Sequence, residues 1–372
     1  MVKDIKKIIL AVATLTGLII GVGIFALPYI ALQVGLWTMV LYLIIITAMV
    51  LLVNYMYCDV ALKTPDFLRL PGYAKMHLGK VWKTIAVVSA ILGSVGTLLV
   101  YTIVGGGFLG GLLKPIMGGS DILFPLIYFI VGAMYIYMGS KAISKIEFWG
   151  ISLFFVALLV VLFQGISFWH FTSLSFNMSN WGSWFLPYGP LLFALWGASM
   201  IPELEEMLGD DKKKLHMVIT ISTLISAGCF IFFILLVLGI SGAQTSQEAI
   251  SGLQGVLGSK VISALFLAGL LATFTSFVAV GLNLKKVLWY DMKLSERLAW
   301  ILTCSVPFVL FLAGFNNFIG IIGLIGGVSL AVDGILIALM HRRVEYSSSK
   351  LLTYSVILIF ALGIIYELIY FF

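Results

Sequence analysis

The first apolar segment of the chain is interrupted by residues that leave backbone groups free to bind a ligand. Gly17, Gly21, Gly23 and Pro28 fall within twelve residues. Glycine disfavours a helix, and proline lacks an amide donor and clashes with the preceding turn. Amides freed at the N-terminus of a half-helix attract an anion, and freed carbonyl groups attract a cation. We therefore expect this segment to bind a carboxylate, and an ammonium group or Na⁺, through its backbone.

A second apolar segment carries the same kind of interruption. Gly197 is followed by Pro202 at a depth similar to that of the first break. Five apolar segments separate the starts of the two, so the breaks occupy matching positions in halves that run in opposite directions. Small residues also let membrane helices pack closely, and proline kinks are common. Two matched breaks nevertheless favour an inverted repeat with two discontinuous helices, the pattern of secondary transporters.

Acidic residues inside apolar segments are the next candidates for chemistry, because an ionisable group is costly within a membrane. Asp333 lies in the tenth apolar segment and Glu203 near the inner end of the sixth. For these two we favour a role in gating or proton transfer. Asp59, Glu205 and Glu206 fit an inner gate and ordinary interfacial charges equally well.

The composition identifies the solvent in which these residues act. Of the 372 residues, 62% are hydrophobic and only 10% are charged, with a mean hydropathy of +1.15. A soluble domain holds roughly 25% charged residues, so the apolar surface must face a lipid bilayer. The three cysteines have no paired spacing, and we interpret the four histidines as interfacial polar residues. No zinc motif, catalytic triad or phosphate-binding loop is present, so we expect neither an enzyme nor a cofactor.

The apolar segments predict about eleven transmembrane helices. We place them at 8–31, 36–61, 84–112, 122–139, 147–167, 187–207, 217–241, 260–285, 296–314, 318–340 and 350–371. With the N-terminus in the cytoplasm, 20 of the 22 lysine and arginine residues lie on the cytoplasmic side, and only Lys114 and Lys260 lie outside. This bias predicts a multi-pass protein of the inner (plasma) membrane, and it accounts for the net charge of +6 without nucleic acid.

The two breaks divide the chain into repeats. We expect a first five-helix repeat over 1–167, an outer interfacial loop over 168–186 and an inverted second repeat over 187–341. An eleventh helix at 350–372 then places the C-terminus outside. The basic N-terminus leads into an uncleaved first helix, and residues 62–83 predict a short cytoplasmic interfacial helix. The sequence does not decide whether Glu367, in the last helix, faces lipid, a partner or the outer interface.

At its breaks the sequence resembles the amino acid–polyamine–organocation superfamily. The run from Gly17 through Pro28 is similar to the first-helix motif of the amino acid/auxin and the hydroxy/aromatic amino acid permeases. The stretch from Ile201 through Lys213 resembles the end of their sixth helix. The resemblance implies a LeuT-type fold with a 5+5 inverted repeat, in which helices 1, 2, 6 and 7 move against helices 3, 4, 8 and 9.

The resemblance also implies a sodium site. In sodium-coupled members of this fold, helix eight supplies one carbonyl and two hydroxyls to Na⁺, and helix one supplies carbonyls. The matching positions are Ala272, Thr275, Ser276, Gly17 and Ile20. Such neutral oxygens suit a weakly held monovalent ion. Two alternatives stay open, since the hydroxyls can bond to their own helix and a proton can replace Na⁺; a fifth span without lysine favours sodium.

Between the two breaks we expect the substrate site. A largely apolar pocket favours a neutral amino acid with a hydrophobic or aromatic side chain. The candidate substrate-binding residues are Gly21, Val22, Gly23, Ile24, Thr97, Tyr101, Leu195, Trp196, Gly197, Ala198 and Ser199.

The expected function is secondary active transport of amino acids by alternating access, driven by Na⁺ more readily than by H⁺. The expected partners are the lipid bilayer and a small amino acid. An alternative is a membrane sensor of the same fold that binds a nutrient without transporting it.

Overall fold

The computed structural model describes residues 2–65, 68–139, 156, 158–174, 184–345 and 350–371. The regular elements of these ranges are helices, which confirms the expected all-helical fold. The first half of the predicted fifth span and part of the predicted outer loop lie outside the described residues, so the division into two repeats stays a prediction. The helices are α1 Val2–Ile19, α2 Gly23–Val34, α3 Leu36–Lys63, α4 Leu70–His77, α5 Lys80–Met117, α6 Leu123–Met138, α7 Leu158–Phe168, α8 Tyr188–Leu195, α9 Ile201–Leu208, α10 Leu215–Ser241, α11 Ser259–Lys286, α12 Glu296–Leu312, α13 Phe318–Leu324, α14 Ala331–Val344 and α15 Lys350–Phe371.

The lengths of these helices suit a bilayer. Six helical segments of the described ranges are long and apolar enough to cross one, and the bent α1–α2 pair makes a seventh. The apolar helices α6 and α12, with 16 and 17 residues, fall slightly short of the roughly 20 that span hydrocarbon. The short helix α4 lies within the segment 62–83, where a short helix was expected.

The first predicted span is broken at its glycines. α1 ends at Ile19 and α2 begins at Gly23, and the two axes are bent by 51°. The Gly21 amide donates to the carbonyl of Ile19 at 2.8 Å, a turn much tighter than an α-helix. Pro28 lies inside α2, where it removes one helical hydrogen bond without ending the helix. The glycines therefore make this break.

The sixth predicted span is also two helices. α8 ends at Leu195, Trp196 and Gly197 are not helical, and a short 3₁₀ turn leads into α9. Pro202 is the second residue of α9. Proline is tolerated there because the first amides of a helix have no partner within it. Both predicted discontinuities are thus confirmed.

The tenth predicted span contains a π-helical segment that the sequence did not predict. It covers Ile325–Leu330, between α13 and α14. A Cβ at Gly326 would collide with the backbone of Gly189 in α8, and one at Gly327 would collide with the Glu367 side chain of α15. The widened turn therefore lies where the chain packs tightly against two neighbouring helices. Turns of this kind often occur at functional sites.

The long helix α5 forms the centre of one half of the bundle. It packs against α6, α11 and α12. A Cβ at Gly106 would collide with Pro125 of α6, and one at Gly111 with Phe266 of α11. Such small residues let membrane helices approach closely. On the other side α1 packs against α9 and α10, and α3 packs against α8, α10 and α14.

Candidate functional site

A cavity of about 200 Å³ lies between the two breaks and α5. Most of the predicted substrate residues line it. The structure adds Phe193 of α8, Ser94 of α5 and Asn283 of α11, which the sequence analysis missed. Ser94 lies one turn before the predicted Thr97, and that helical spacing was the available signal. The predicted residues in the lining are Gly21, Val22, Gly23, Thr97, Tyr101, Trp196, Ala198 and Ser199.

Three predicted residues lie beside this cavity without lining it. Ile24 and Leu195 are buried in the apolar core, at 1% and 0% exposure. Gly197 packs against α1, where a Cβ would lie 2.9 Å from Leu15 and 3.3 Å from Ile19. All three residues face away from the cavity. Spacing near a break does not reveal this orientation, because the direction of the chain changes there.

The first break offers both kinds of free backbone group. Among the backbone hydrogen bonds of the described residues, none uses the amides of Val22 and Gly23. None involves the carbonyl groups of Gly17, Leu18 and Ile20 as acceptors either. The N-terminus of α2 therefore presents donors, and the C-terminus of α1 presents acceptors. Their helix dipoles reinforce these signs.

The second break repeats this arrangement. Within the part of the chain that the structure describes, the amides of Gly197, Ala198 and Ser199 have no backbone acceptor. The next amide, that of Met200, donates to the Gly197 carbonyl at 3.1 Å. These donors stand at the start of the helical turn that leads into α9. The positive ends of α2 and α9 thus both lie at the centre of the bundle.

The two breaks are in direct contact. A Cβ built on Gly23 would lie 2.8 Å from both Cα and Cβ of Ala194 in α8. Only a residue without a side chain allows this approach. The contact brings the free amides that follow each break to the same cavity.

Tyr101 of α5 lies against the first break. A Cβ built on Gly21 would lie 3.0 Å from its hydroxyl oxygen, and its side chain is 5% exposed. The neighbouring Thr97 instead donates to the Gly93 carbonyl of its own helix at 2.7 Å. Tyr101 therefore places a hydroxyl oxygen directly beside the first break.

One end of the cavity is acidic. Asp333 lines it, and its Oδ1 is buried without a hydrogen-bond partner among the described residues. Arg69, at the start of α4, also lines the cavity and lies 3.5 Å from Oε1 of Glu203. Of the two gate candidates, Asp333 thus lines the cavity, whereas Glu203 contacts it only through Arg69, a cation that the sequence analysis did not assign to this site.

The predicted ion ligands lie on α11 and at the end of α1, with Ile20 in the break just after it, and the two helices pack on different neighbours. α1 packs on α9 and α10, whereas α11 packs on α5, α6 and α12. The Thr275 hydroxyl donates to the Ala272 carbonyl at 3.1 Å, the local bond considered as an alternative, and this leaves its lone pairs available. The carbonyls of Gly17 and Ile20 have no backbone donor within the described ranges. Neutral oxygens of this kind fit a monovalent cation.

Asp59, considered from sequence as a gate or interfacial charge, connects three helices. Its carboxylate oxygens lie 3.1 Å from Nε2 of His216 in α10 and 3.1 Å from Nε2 of His341 in α14. The sequence analysis interpreted these histidines as interfacial polar residues and did not predict that they share one carboxylate. Positions so distant in sequence carry no local signal of their pairing.

Comparisons with known proteins agree with this architecture. The model described as "Tryptophan/tyrosine permease family" matches residues 4–369. A search of curated proteins finds no match. Two solved structures of Mhp1, described as a nucleobase-cation-symport-1 family transporter, are 13% identical to the chain. Its closed, bromovinylhydantoin-bound form has a TM-score of 0.68, covering 88% of this chain and 76% of Mhp1.

The inward-facing form of Mhp1 has a TM-score of 0.70, covering 97% of this chain and 88% of Mhp1. MhsT, described in complex with L-phenylalanine, is 15% identical with a TM-score of 0.62 and covers 98% of both chains. At these identities the similarity establishes the fold, which is the LeuT-type fold expected from the sequence. The closer resemblance to amino acid/auxin permeases is not tested by these matches.

Proposed function

The chain belongs to the tryptophan/tyrosine permease family, and from this premise we propose that it carries neutral aromatic amino acids across the membrane together with Na⁺. Family and fold identify a multi-pass membrane transporter, not an enzyme. The observation that carries the proposal is the meeting of two half-helix N-termini, with free amides, beside Tyr101. This arrangement suits the carboxylate of an amino acid.

The other walls of the cavity suit the ammonium group and the side chain of an amino acid. The free carbonyl groups at the C-terminus of α1 would accept hydrogen bonds from the ammonium group. Phe193, Trp196 and Val280 supply apolar surface for the side chain. The description of MhsT as bound to L-phenylalanine supports an amino acid of this type.

The two ends of the cavity differ. At the far side, Phe25 of α2 packs on Phe108 and Phe233 with ring centroids 5.0 Å and 6.1 Å apart, and Gly23 abuts Ala194. At the near side the lining continues to the half-exposed Arg69. Because the basic residues favour a cytoplasmic α4, we assign this arrangement to the inward-facing state of an alternating-access cycle.

A bound Na⁺ would connect α1, which belongs to the expected moving bundle, with α11, which belongs to the expected static scaffold. Gly17 and Ile20 would supply carbonyls from α1, and Ala272, Thr275 and Ser276 would supply oxygens from α11. Since α1 and α11 share no extensive packing across the described residues, an ion bound by both would favour the state in which they approach. The description of Mhp1 as a cation symporter supports this coupling.

Uptake into liposomes tests the function. Purified protein should accumulate labelled L-tyrosine or L-tryptophan under an inward Na⁺ gradient, and accumulation should stop when K⁺ replaces Na⁺. Binding without accumulation under any ion gradient would refute transport and favour the sensor alternative. Tyr101→Phe should raise KM roughly 10- to 150-fold, the loss of about 1.5–3 kcal/mol expected for a hydrogen bond to a charged group. Tyr135→Phe, outside the cavity lining, is its control.

The ion site has a separate test. The double variant Thr275→Ala with Ser276→Ala should abolish Na⁺-dependent uptake. Thr273→Ala is a matched control, since Thr273 in the same helix also bonds to its own backbone, at the Gly269 carbonyl. Uptake that survives the double variant and follows pH would favour proton coupling, for which the unpartnered carboxyl oxygen of Asp333 is the specific candidate.

A further inference from the structure

A second cavity of about 210 Å³ lies at the opposite end of the bundle from α4. It is bounded by the C-terminus of α2, the start of α8, the start of α13 and the end of α15. It shares no lining residue with the cavity between the breaks. The substrate and ion sites proposed above make no use of it.

The charged residue in this cavity is Glu367 of α15. Its side chain is buried, with a residue exposure of 4%. Three glycines of other helices make room for it. A Cβ at Gly189 or Gly327 would collide with its side chain, and one at Gly323 would lie 3.2 Å from Oε2. The space for this carboxyl group is therefore built from three separate helical segments.

The carboxylate is only partly satisfied. The Gly189 backbone amide donates a hydrogen bond to it. No lysine, arginine or histidine of the described chain forms an ion pair with it. A carboxylate has about four acceptor positions, so one amide leaves most of them open. A buried anion without a cationic partner is costly, and a ligand that supplies the positive charge removes that cost.

The rest of the lining suits an organic cation. Gln33, Gln247 and Asn317 contribute side-chain amides, although the Asn317 oxygen already accepts from the Gly320 amide. Among the described residues, no basic side chain lines the cavity. Tyrosines form much of its wall: Tyr29, Tyr366 and Tyr370. Aromatic faces attract ammonium groups, and a primary ammonium has three hydrogens to donate.

We propose that this cavity is a second binding site, which takes the primary ammonium group of a small organic amine with Glu367 as its anionic partner. The volume of about 210 Å³ is large enough for an ammonium group on a short carbon chain. The aromatic walls distinguish this ligand from a bare metal ion. No group of three potential metal-ligating side chains occurs among the described residues.

Calorimetric titration of the full-length protein with tyramine tests the proposal. The protein is held in detergent and K⁺ buffer, and tyramine is chosen because it has the amine and no carboxylate. Glu367→Gln should weaken the Glu367-dependent binding at least tenfold. The glutamine carbonyl still accepts the Gly189 hydrogen bond, so the fold is expected to persist. Glu248→Gln, the same change at an acid outside the lining, should leave the affinity within twofold of wild type.

A second variant guards against a folding artefact. Tyr370 is 54% exposed, so Tyr370→Ala should melt close to the wild type and still weaken tyramine binding severalfold. L-Tyrosine distinguishes the source of the amine. A Glu367-dependent site that prefers L-tyrosine indicates the transported amino acid, and one that prefers tyramine indicates a free amine.

Both of those preferences support the proposal. Tyramine binding that is absent from the wild type, or equal in the wild type and Glu367→Gln, overturns it. The carboxylate analogue 3-(4-hydroxyphenyl)propionate should show no dependence on Glu367, and a tenfold loss of its binding in Glu367→Gln would also overturn it.

Discussion

The contact between the two breaks predicts a strong effect of one methyl group. In Gly23→Ala the new Cβ would lie 2.8 Å from Cα and Cβ of Ala194, whereas ordinary contact begins at 3.4 Å. The obstacle includes backbone, so the two breaks must separate by about 0.6 Å. That shift stretches a hydrogen bond of ~2.9 Å to about 3.5 Å, the limit of useful geometry. A weakened bond to a charged carboxylate costs about 1.5–3 kcal/mol, or roughly 10- to 150-fold in affinity.

Two measurements check this prediction. Calorimetry should show the weaker binding of L-tyrosine, and thermal unfolding should show a lower Tm, since overpacking costs about 1–3 kcal/mol. The control is Gly107→Ala in α5, where an added Cβ meets nothing within 4 Å. Its Tm should stay equal or rise, because alanine favours a helix by about 1 kcal/mol. Wild-type affinity and Tm in Gly23→Ala would refute the idea that the breaks abut at the binding site.

Three further predictions concern the groups at the α4 end of the bundle and below α11. Asp59→Asn should destabilise the fold by about 2 kcal/mol, because it removes the carboxylate that two histidines contact at 3.1 Å; an unchanged Tm would contradict a stabilising role for this connection between three helices. Glu296→Gln should lower Tm more than Lys285→Met, because only Glu296→Gln leaves the Lys285 ammonium group, whose side chain is 6% exposed, without its anionic partner; equal losses of Tm would contradict this explanation. Burial lowers the pKa of His77, so its stabilising effect is complete above about pH 6.5 and is lost as pH falls through the folded-state pKa; His77→Gln should therefore flatten the acid decline of Tm, and an unaltered decline would count against it.

The broken helices could be predicted from sequence because their signal is local. Gly21 and Gly23 weaken a helix wherever they occur, and a bilayer restricts where a weakened helix can lie. The structure places the interruption at these residues. Which side chains then face the cavity depends on helix rotation. Spacing alone therefore predicted that Ile24 and Leu195 line the cavity, whereas in the structure both are buried in the core.

Other features could not be predicted because they depend on residues far apart in the chain. Gly326 and Gly327 look like ordinary small packing residues, and only contact with α8 and α15 shows why glycine is needed there. The apolar helix α15 gives no periodic signal of which face is buried. The space around Glu367 is formed by glycines of three other segments, so the sequence of α15 alone could not predict it.

The π-helical segment also determines the rotation of α14, the helix that follows it. An α-helix turns by about 100° per residue, so one residue more or less in Ile325–Leu330 would rotate α14 by that angle about its axis. Asp333 lies three residues after this segment, and after such a rotation its side chain would no longer line the cavity. Relatives that differ by a single insertion or deletion in this turn would thus present a different residue to the same cavity. A length change of one residue, without any substitution in the binding site, would be enough to alter what the transporter recognises.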